Sequence, residues 1–416
     1  MKRNKDIKIG VITHSIPGPH INGGPMTVWA IAKELAKNGI KIKVVSFMHL
    51  NEKKYKKIKI LKIKNFPDIN IFNPIGIQVS SFIQRIKNIF DFSRIFRTHY
   101  NENEIVKKIE KMKFDALLLY HWEPMSILKN WKKVPKMGIV GDPWHHPRLK
   151  NWQNSKKDKQ ILRYWINGVK VVLSSLFDIR TMTSLMNNCN VSGSFQSHEV
   201  NNFKRYGVKH CKYYRTPLIE TKVRAFTKKN NSRKTILIGP SNLEATSTRH
   251  GLIYFAEEIY PELCKIKHQD FQVRIVGEGV PPHEIVKIMK DTRIQITGRI
   301  EPPDHEFRQC ALQLVPTPFV LGIRVRIISG MNYGACIIAH KCESYNIPEL
   351  QDGINCLLAG SGREFAEKIS KVFSSRNVKH KISRNAKNDF EKYFKANVAV
   401  KEIEKDLREM IKKHRH

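Results

Sequence analysis

Short apolar runs and amphipathic helical stretches alternate along the first half of the chain. Residues 26–38 place Val28, Ile31 and Leu35 on one face at helical spacing, and Gly39 ends that stretch. Runs typical of buried strands cover residues 7–13, 40–47, 115–120 and 137–140. A strand, a helix and a second strand in this order form a right-handed βαβ unit, so the first half predicts a parallel sheet.

The alternation restarts after a polar, charged stretch at residues 221–234, which predicts a linker. Strand-like runs then cover 235–239, 271–277, 294–298, 312–316 and 335–339, and helical stretches cover 251–265, 282–290, 363–374 and 380–413. Two alternations predict an α/β protein of two Rossmann-like domains, whose parallel sheets face each other across a cleft, with a C-terminal helix. We assign residues 1–220 to the first domain, 233–385 to the second and 386–416 to a C-terminal helical segment.

Composition narrows the class of protein. With 416 residues, of which 41% are apolar, the chain can bury two cores. No apolar run approaches the roughly 18 residues of a membrane span, and the basic start leads directly into a strand pattern without the features of a signal peptide. The seven cysteines form no CxxC pair, so we expect reduced thiols, no zinc and a cytoplasmic location.

The formal net charge of +37 favours anionic partners, which include nucleic acid, an anionic bilayer and phosphorylated substrates. The lysines are spread along the chain, which fits a solvated, lysine-rich surface equally well. No recognition module for nucleic acid is visible, and we expect no nucleic-acid partner. Residues 76–99 combine apolar positions at near-helical spacing with basic residues. They predict peripheral association with an anionic membrane, on its inner face, unless they form an ordinary buried helix.

Residues 322–340 carry the strongest signal for chemistry. Gly322 and Ile323 open a helical pattern, and a glycine at a helix start lets a ligand approach the backbone closely. The free N–H groups at such a start favour an anion. Arg324 and Arg326 follow directly, and guanidinium groups can donate two hydrogen bonds to a phosphate. The stretch therefore predicts an oxyanion held at a helix N-terminus, near the C-terminal edge of a parallel sheet.

The same stretch resembles the donor-binding segment of retaining, family-4-type glycosyltransferases of the GT-B architecture (glycosyl transferases group 1), which often reads GIRxKILEAMAxGxPVVA. The matching positions are Gly322, Ile323, Arg324, Arg326, Ile327, Met331, Gly334 and Ala339. The family usually carries two glutamates eight residues apart, and the second binds the donor ribose. Leu321 and Ser329 stand at those two positions here. The resemblance implies a nucleotide-diphosphate sugar bound without cofactor or metal, with Ser329 near the ribose.

Three loops of the sequence add candidate residues. Gly23 and Gly24 lie between the first strand and the first helix; they fit a simple turn, and the resemblance implies that they close over the donor diphosphate. His121 follows a buried strand and is either packed beside Trp122 or a catalytic residue that positions a sugar hydroxyl. Arg249 precedes a helix near the place where the family puts basic residues against the diphosphate, or is a solvated arginine.

Asp142, His145 and His146 follow the next strand, but no third ligand is paired with the histidines by spacing, and we expect no metal there.

The predicted function is a glycosyltransferase that moves a hexosyl group from a nucleotide-diphosphate sugar to a glycan, lipid-linked or small-molecule acceptor with retention of configuration, as in cell-envelope polysaccharide synthesis. Other hypotheses stay open. They are a sugar-nucleotide epimerase of the same architecture, a degenerate GT-B scaffold that has lost both motif glutamates, and a basic protein that binds nucleic acid or an anionic membrane. The base, the sugar and the acceptor are not specified by the sequence.

Overall fold

The computed structural model describes residues 7–14, 17–18, 23–47, 69–72, 102–141, 143, 145–154, 161–221, 234–266 and 270–415. The chain divides into two compact units, Met1–Tyr214 with Ala399–His416, and Arg215–Val398. The predicted membrane-binding stretch at 76–99 and most of the predicted linker at 221–234 lie outside the described residues.

The first unit is built on a parallel sheet with the strand order β3-β2-β1-β4-β5-β6-β7. Its strands are β1 Lys8–Thr13, β2 Lys41–Phe47, β3 Ile69–Phe72, β4 Ala116–Tyr120, β5 Lys136–Val140, β6 Val191–Ser194 and β7 Cys211–Tyr213. In the centre, Val11 of β1 pairs with Val44 of β2 and with Leu118 of β4. These strands are continuous apolar runs because both faces of the sheet are covered by helices.

The helices of the first unit are α1 Gly23–Lys37, α2 Glu102–Lys111, α3 Trp122–Ile127, α4 His145–Asn154, α5 Ile161–Asn187 and α6 Ser197–Arg205. On one face of the sheet, Ile109 of α2, Met125 of α3, Met186 of α5 and Phe203 of α6 pack into a common core. That core fixes where β4, β5 and β6 end, and these ends carry several of the candidate residues.

The second unit contains a parallel sheet with the strand order β10-β9-β8-β11-β12-β13. Its strands are β8 Lys234–Asn242, β9 Phe271–Glu278, β10 Ile294–Ile296, β11 Leu312–Val315, β12 Ile337–His340 and β13 Leu357–Ala359. Its helices are α7 Thr246–Tyr254, α8 Tyr260–Lys265, α9 His283–Ile288, α10 Asp304–Gln309, α11 Val325–Tyr333, α12 Glu343–Asn346, α13 Gly362–Ser374 and α14 Arg376–Asp389. The α/β architecture with two parallel sheets that the sequence predicts is confirmed.

The C-terminal region contains two departures from a simple α-helix. A π-helical turn, Phe390–Phe394, follows α14, and Lys395 then takes an extended conformation before α15, Ala396–Arg415, begins. The predicted continuous helix over 380–413 is therefore interrupted. Another π-helical turn, Phe255–Ile259, joins α7 to α8 and interrupts the helical stretch predicted over 251–265. The segment assigned to 386–416 is divided between the two compact units. Residues up to Val398 belong to the second unit, and α15 from Ala399 onward belongs to the first unit.

Two helix starts differ from the sequence-based prediction. Gly23 and Gly24 form the first turn of α1 instead of the loop before it. In the second unit, α11 begins at Val325 with Arg324 as its N-cap, so Gly322 and Ile323 precede the helix instead of opening it. The Gly23–Gly24 pair and Gly322 still lie directly at a strand-to-helix connection.

Each sheet changes the direction of its strand order at one point. In the first unit this topological switch lies between β1 and β4, and in the second between β8 and β11. Connections that leave the carboxyl ends of two such strands diverge to opposite faces of the sheet, and a crevice opens between them. A ligand-binding site is therefore expected among the residues that follow β1, β4, β8 and β11.

Candidate functional site

His121 stands at the switch point of the first sheet in a strained conformation. It follows β4 directly, with φ 73° and ψ 179°. This combination of dihedral angles is essentially reserved for glycine and costs about 1–3 kcal/mol for other residues. The amide of His121 donates a hydrogen bond to the carbonyl of Ile139 at 2.9 Å, which holds the backbone in place. Backbone strain that the surrounding structure maintains is typical of functional sites.

The imidazole of His121 lies between two glycines. A Cβ at Gly141, after β5, would meet the imidazole Cε1 at 2.7 Å, and a Cβ at Gly24 would lie 3.8 Å from Nε2 and 3.1 Å from the hydroxyl of Tyr120. Gly23 accepts a hydrogen bond from the hydroxyl of Thr27 at 3.1 Å, which closes the first turn of α1. The structure therefore brings together His121 and the Gly23–Gly24 pair, which sequence analysis selected from two separate loops.

A histidine–carboxylate pair lies along the same edge of the first sheet. Nδ1 of His146, in the first turn of α4, is 3.2 Å from a carboxylate oxygen of Glu199, in the first turn of α6. Glu199 and His145 are buried, and the two histidine rings make an edge contact at 4.4 Å. Asp142 lies outside the described residues, and within those the structure describes no group of three or more His, Cys, Asp or Glu is arranged to hold a metal ion.

Two arginines and one glutamate form a buried charge cluster at the switch point of the second sheet. Arg324 is 6% exposed and Glu343, the first residue of α12, is 1% exposed. The Nε atom of Arg324 lies 3.2 Å from a carboxylate oxygen of Glu343. Arg326 donates hydrogen bonds to Thr248 of α7 at 3.0 Å and to Thr317, after β11, at 3.1 Å. Arg326 thus joins the two connections that diverge from β8 and β11.

This cluster carries an excess of positive charge. Nη2 of Arg324 and Nε of Arg326 are buried and have no hydrogen-bond partner among the described residues. Burial and, to a smaller extent, the charge of the neighbouring Arg324 together lower the pKa of Arg326 to about 9. Burial raises the pKa of Glu343 to about 7 against the opposing effect of both arginines. Buried donors without partners cost free energy, and an anion with several acceptor oxygens would satisfy them.

Gly322 gives the cluster its backbone shape. Its φ of 69° is in the left-handed region that favours glycine, and its carbonyl accepts a hydrogen bond from the amide of Asn346 at 3.1 Å. Because Asn346 ends α12, which begins at Glu343, the contact ties the loop that carries Arg324 to the helix that carries its carboxylate partner. Ile323 lies between these residues and is half-buried.

The two positions that lack the motif glutamates differ in environment. Leu321 is 3% exposed and packs in the interior. Ser329 is half-buried and lies one helical turn after Arg326, so both residues share one face of α11. Gly330 is buried against Gln313 of β11, whose side-chain oxygen would be 1.9 Å from a Cβ at that position. The glycine where the resembled family has alanine is thereby explained.

Arg249 is exposed on α7, immediately after Thr248. It lies beside the cluster in sequence, since its neighbour Thr248 accepts a hydrogen bond from Arg326. His250, at the position where the family commonly has lysine, makes an edge contact with the ring of Phe319 at 5.4 Å.

The sequence of the second unit matches a known family. Its residues 234–375 fit the sequence profile of glycosyl transferases group 1. These residues are a glycosyltransferase domain. The enzyme class predicted from residues 322–340 is therefore confirmed, and the charge cluster around Arg324 lies inside this domain. No curated protein matches the chain significantly.

Solved structures share the fold of the whole chain at low sequence identity. Sucrose-phosphate synthase from Thermosynechococcus elongatus matches with a TM-score of 0.67 and 13% identity, over 98% of this chain and 100% of that one. Anabaena HepE in complex with UDP and glucose matches with 0.66 and 12%, over 97% and 100%. TarM matches with 0.69 and 13%, over 99% and 100%. These likenesses establish the GT-B fold outside the glycosyltransferase domain as well.

Sequence analysis missed several residues of both sites. Glu343, Thr248 and Thr317 come from three different segments, and no local spacing relates them to Arg326. Glu199 was missed for the same reason, since it is more than fifty residues from His146 in sequence. A signal was available for Thr248, Thr317 and Glu343, because each follows the carboxyl end of a predicted strand. Glu199 follows β6, a strand that sequence analysis did not predict.

Proposed function

We propose that the protein transfers a hexosyl group from a nucleotide-diphosphate sugar to an acceptor hydroxyl with retention of configuration. The donor diphosphate would bind at the start of α11, where the buried guanidinium groups of Arg324 and Arg326 face one carboxylate. This excess of buried positive charge, together with unsatisfied N–H donors, is the observation that carries the proposal. Ser329 would contact the donor ribose, and Gly322 and Ile323 would let the backbone approach the phosphates.

In the proposed reaction, the bond between the anomeric carbon and the diphosphate oxygen breaks as the acceptor oxygen bonds to the same face of the sugar. The acceptor proton passes to the departing phosphate oxygen. The arginines stabilise the negative charge that develops on the diphosphate, which is where preorganised donors lower a barrier most. His121 would position a sugar hydroxyl, and Gly23, Gly24 and Arg249 would contribute to donor binding.

We further propose that the acceptor is a glycan or a lipid-linked molecule, bound by the first unit, and that the protein is cytoplasmic with a peripheral attachment to the anionic inner face of the membrane. The net charge of +37 and the basic, apolar stretch at 76–99 support this attachment. No described helix is long and apolar enough to cross a membrane.

Calorimetric titration with UDP, GDP and ADP tests the donor site. We expect one nucleotide to bind, and the corresponding nucleotide sugars to show turnover with one sugar. Arg326→Met removes one guanidinium and should weaken binding at least tenfold, the scale of one charge-assisted hydrogen bond. The matched control is Arg363→Met, which makes the same change at a side chain that is 82% exposed on α13.

The outcomes separate the hypotheses. If none of the three nucleotides binds the wild type, the proposed function is wrong. Binding without turnover of any nucleotide sugar would favour the scaffold, and conversion of the sugar nucleotide without transfer would favour the epimerase. If Arg326→Met and Arg363→Met bind equally well, the donor is not held by this cluster. The anomeric configuration of the product, read by NMR, tests retention.

A further inference from the structure

The long helix α5 of the first unit exposes a continuous apolar face. Seven large apolar side chains on it are between 45% and 60% exposed: Trp165, Ile166, Val169, Val172, Leu173, Leu176 and Phe177. At 100° per residue these positions fall within an arc of about 140° on one side of the helix. Single exposed apolar residues are common, but a contiguous set of this kind marks a surface that binds something apolar.

The opposite side of α5 is already packed. Ser175, Asp178 and Met182 are buried at spacings of three and four residues. In line with them, Gly168 lies against the ring of Trp152, which a Cβ would meet at 2.4 Å. The indole of Trp152 also donates a hydrogen bond to the carbonyl of Tyr164 at 3.1 Å. Among the described residues, α5 therefore has a packed side of its own, and the exposed apolar face is a different side of the helix.

The length of α5 determines where this face is presented. The helix has 27 residues and is about 40 Å long. The strands β5 and β6, between which it lies in the chain, have five and four residues and are about 17 Å and about 13 Å long. The C-terminal end of α5 lies at the amino edge of the sheet, since β6 begins at Val191. The N-terminal half of α5 therefore extends beyond the carboxyl edge of the sheet. That edge also carries His121 and the His146–Glu199 pair.

Charge decides between possible occupants of the apolar face. Residues 145–180 contain eight lysines and arginines and two aspartates, and Lys170 and Arg180 are exposed on α5 itself. A second copy of the chain would bring another strongly basic surface into contact with this one, which like charges oppose. An anionic bilayer offers an apolar interior and a negative surface together, the combination that basic amphipathic helices bind.

We propose that the exposed apolar face of α5 docks the first unit on an anionic phospholipid bilayer. Docking through the projecting half of α5 brings the carboxyl edge of the first sheet, with His121, towards the lipid surface. This helix is distinct from the stretch at 76–99. The proposal rests on the proposed function in that it names a surface for the membrane attachment proposed there, and the bilayer would present a lipid-linked acceptor hydroxyl to this edge.

Vesicle flotation with three proteins tests the docking surface. The probes are vesicles of phosphatidylglycerol and phosphatidylcholine in equal parts, and vesicles of phosphatidylcholine alone. The test variant carries Ile166→Gln, Val169→Gln and Leu173→Gln, which keep the charge and the helical propensity. The control carries Val280→Gln, Val286→Gln and Met289→Gln, which replace exposed apolar residues in the second unit. We expect the wild type and the control to float with anionic vesicles, and the α5 variant to lose at least 90% of its bound fraction.

Fluorescence locates the contact. Trp165 lies at the start of the apolar face and is 60% exposed, so its emission should shift to the blue on addition of anionic vesicles. Lipids brominated in the acyl chain should quench it. The chain has six tryptophans, so the contribution of Trp165 is the difference between the wild type and Trp165→Phe, and we expect that difference to shift to the blue.

Three results would overturn the proposal. One is equal flotation of the α5 variant and the wild type. Another is a wild-type dimer without vesicles that the α5 variant converts to a monomer, which would make a second copy the occupant. The third is flotation that survives the α5 changes and is lost when Phe82, Ile86 and Phe90 are replaced by glutamine. Nucleotide titration of the same α5 variant keeps the two proposals apart, since a defect in docking leaves nucleotide affinity unchanged.

Discussion

The strained backbone of His121 leads to a prediction that a contact list would not give. His121→Gly and His121→Ala both remove the imidazole, and both keep the amide that bonds to the carbonyl of Ile139. Only glycine adopts a φ of 73° with a ψ of 179° without strain. We therefore expect His121→Gly to be the more stable of the two variants, although glycine is usually the less stable choice.

The magnitude follows from two opposing effects at residue 121. Relief of the strain is worth about 1–3 kcal/mol. Glycine increases the conformational entropy of the unfolded chain, which offsets this by about 0.4–1 kcal/mol. The two ranges leave a difference of about 0–2.6 kcal/mol in the free energy of unfolding, with a midpoint near about 1.3 kcal/mol. At the midpoint the Tm of His121→Gly should exceed that of His121→Ala by about 3–5 °C.

Calorimetric melting of both variants measures the difference, and turnover of the nucleotide sugar measures function in parallel. If His121 positions a sugar hydroxyl, both variants should lose the same fraction of kcat/KM, because neither has an imidazole. An alanine variant that melts at or above the temperature of the glycine variant would refute the reasoning on strain. A glycine variant with wild-type kcat/KM would remove His121 from the site.

Four further predictions concern the second unit. Gly330→Ala should destabilise it by about 1–2 kcal/mol, because the amide of Gln313 must then leave its hydrogen bonds to two backbone carbonyls; adding Gln313→Ala should reduce the penalty in a double-mutant cycle, and simple additivity would contradict the contact. Burial raises the pKa of Glu343 to about 7 from 4.5, so acidification from pH 8 to 6 should neutralise it and tighten nucleotide-sugar binding about tenfold. The raised pKa of Glu343 should also make the free energy of unfolding of the second unit fall as the pH rises from 4.5 to 7, since the folded state binds the proton of Glu343 more tightly than the unfolded state does. Glu343→Gln should abolish both trends in calorimetry, and a trend that persists would assign it elsewhere. Ser329→Glu should tighten nucleotide binding or leave it unchanged, and a tenfold loss would show that α11 does not face the ribose. Arg324→Met should destabilise the unit by about 3–5 kcal/mol, because it leaves Glu343 unpaired, and adding Glu343→Gln should restore most of the lost Tm; without such rescue the ion pair would be incidental.

The sequence predicts those parts of the fold that depend on local pattern. The central strands of both sheets are apolar runs, and β4 and β11 lie within one or two residues of the predicted bounds. The strands β6 (VSGS) and β7 (CKY) are not apolar runs, and the sequence did not predict them. The position of Arg324 and Arg326 after β11 follows from the same pattern. Parallel sheets place the ends of such strands at one edge, so the location of both sites could be predicted without knowledge of any contact.

Features that depend on contacts between distant segments could not be predicted. The need for glycine at residue 330 arises from Gln313, which reaches it from another element. From its position in the sequence, Arg324 is expected to be free to donate hydrogen bonds to a phosphate, yet it is paired with Glu343. The apolar face of α5 escapes sequence reasoning for a different reason: apolar residues at helical spacing indicate burial, and only the coordinates show which of two faces is buried.

The last helix has a consequence for how the protein is made. Asp406 of α15 is buried and bonds to the hydroxyl of Tyr214 and the ammonium of Lys212, both at 2.6 Å, and Arg415 pairs with Asp115 at 2.7 Å. During synthesis on the ribosome, the residues of the second unit emerge before this helix. The N-terminal unit therefore reaches its final form after the C-terminal one, in the reverse of their order along the chain. A fragment that ends at Tyr214 would lack one wall of its own core, whereas residues 215–398 form an uninterrupted piece for separate expression.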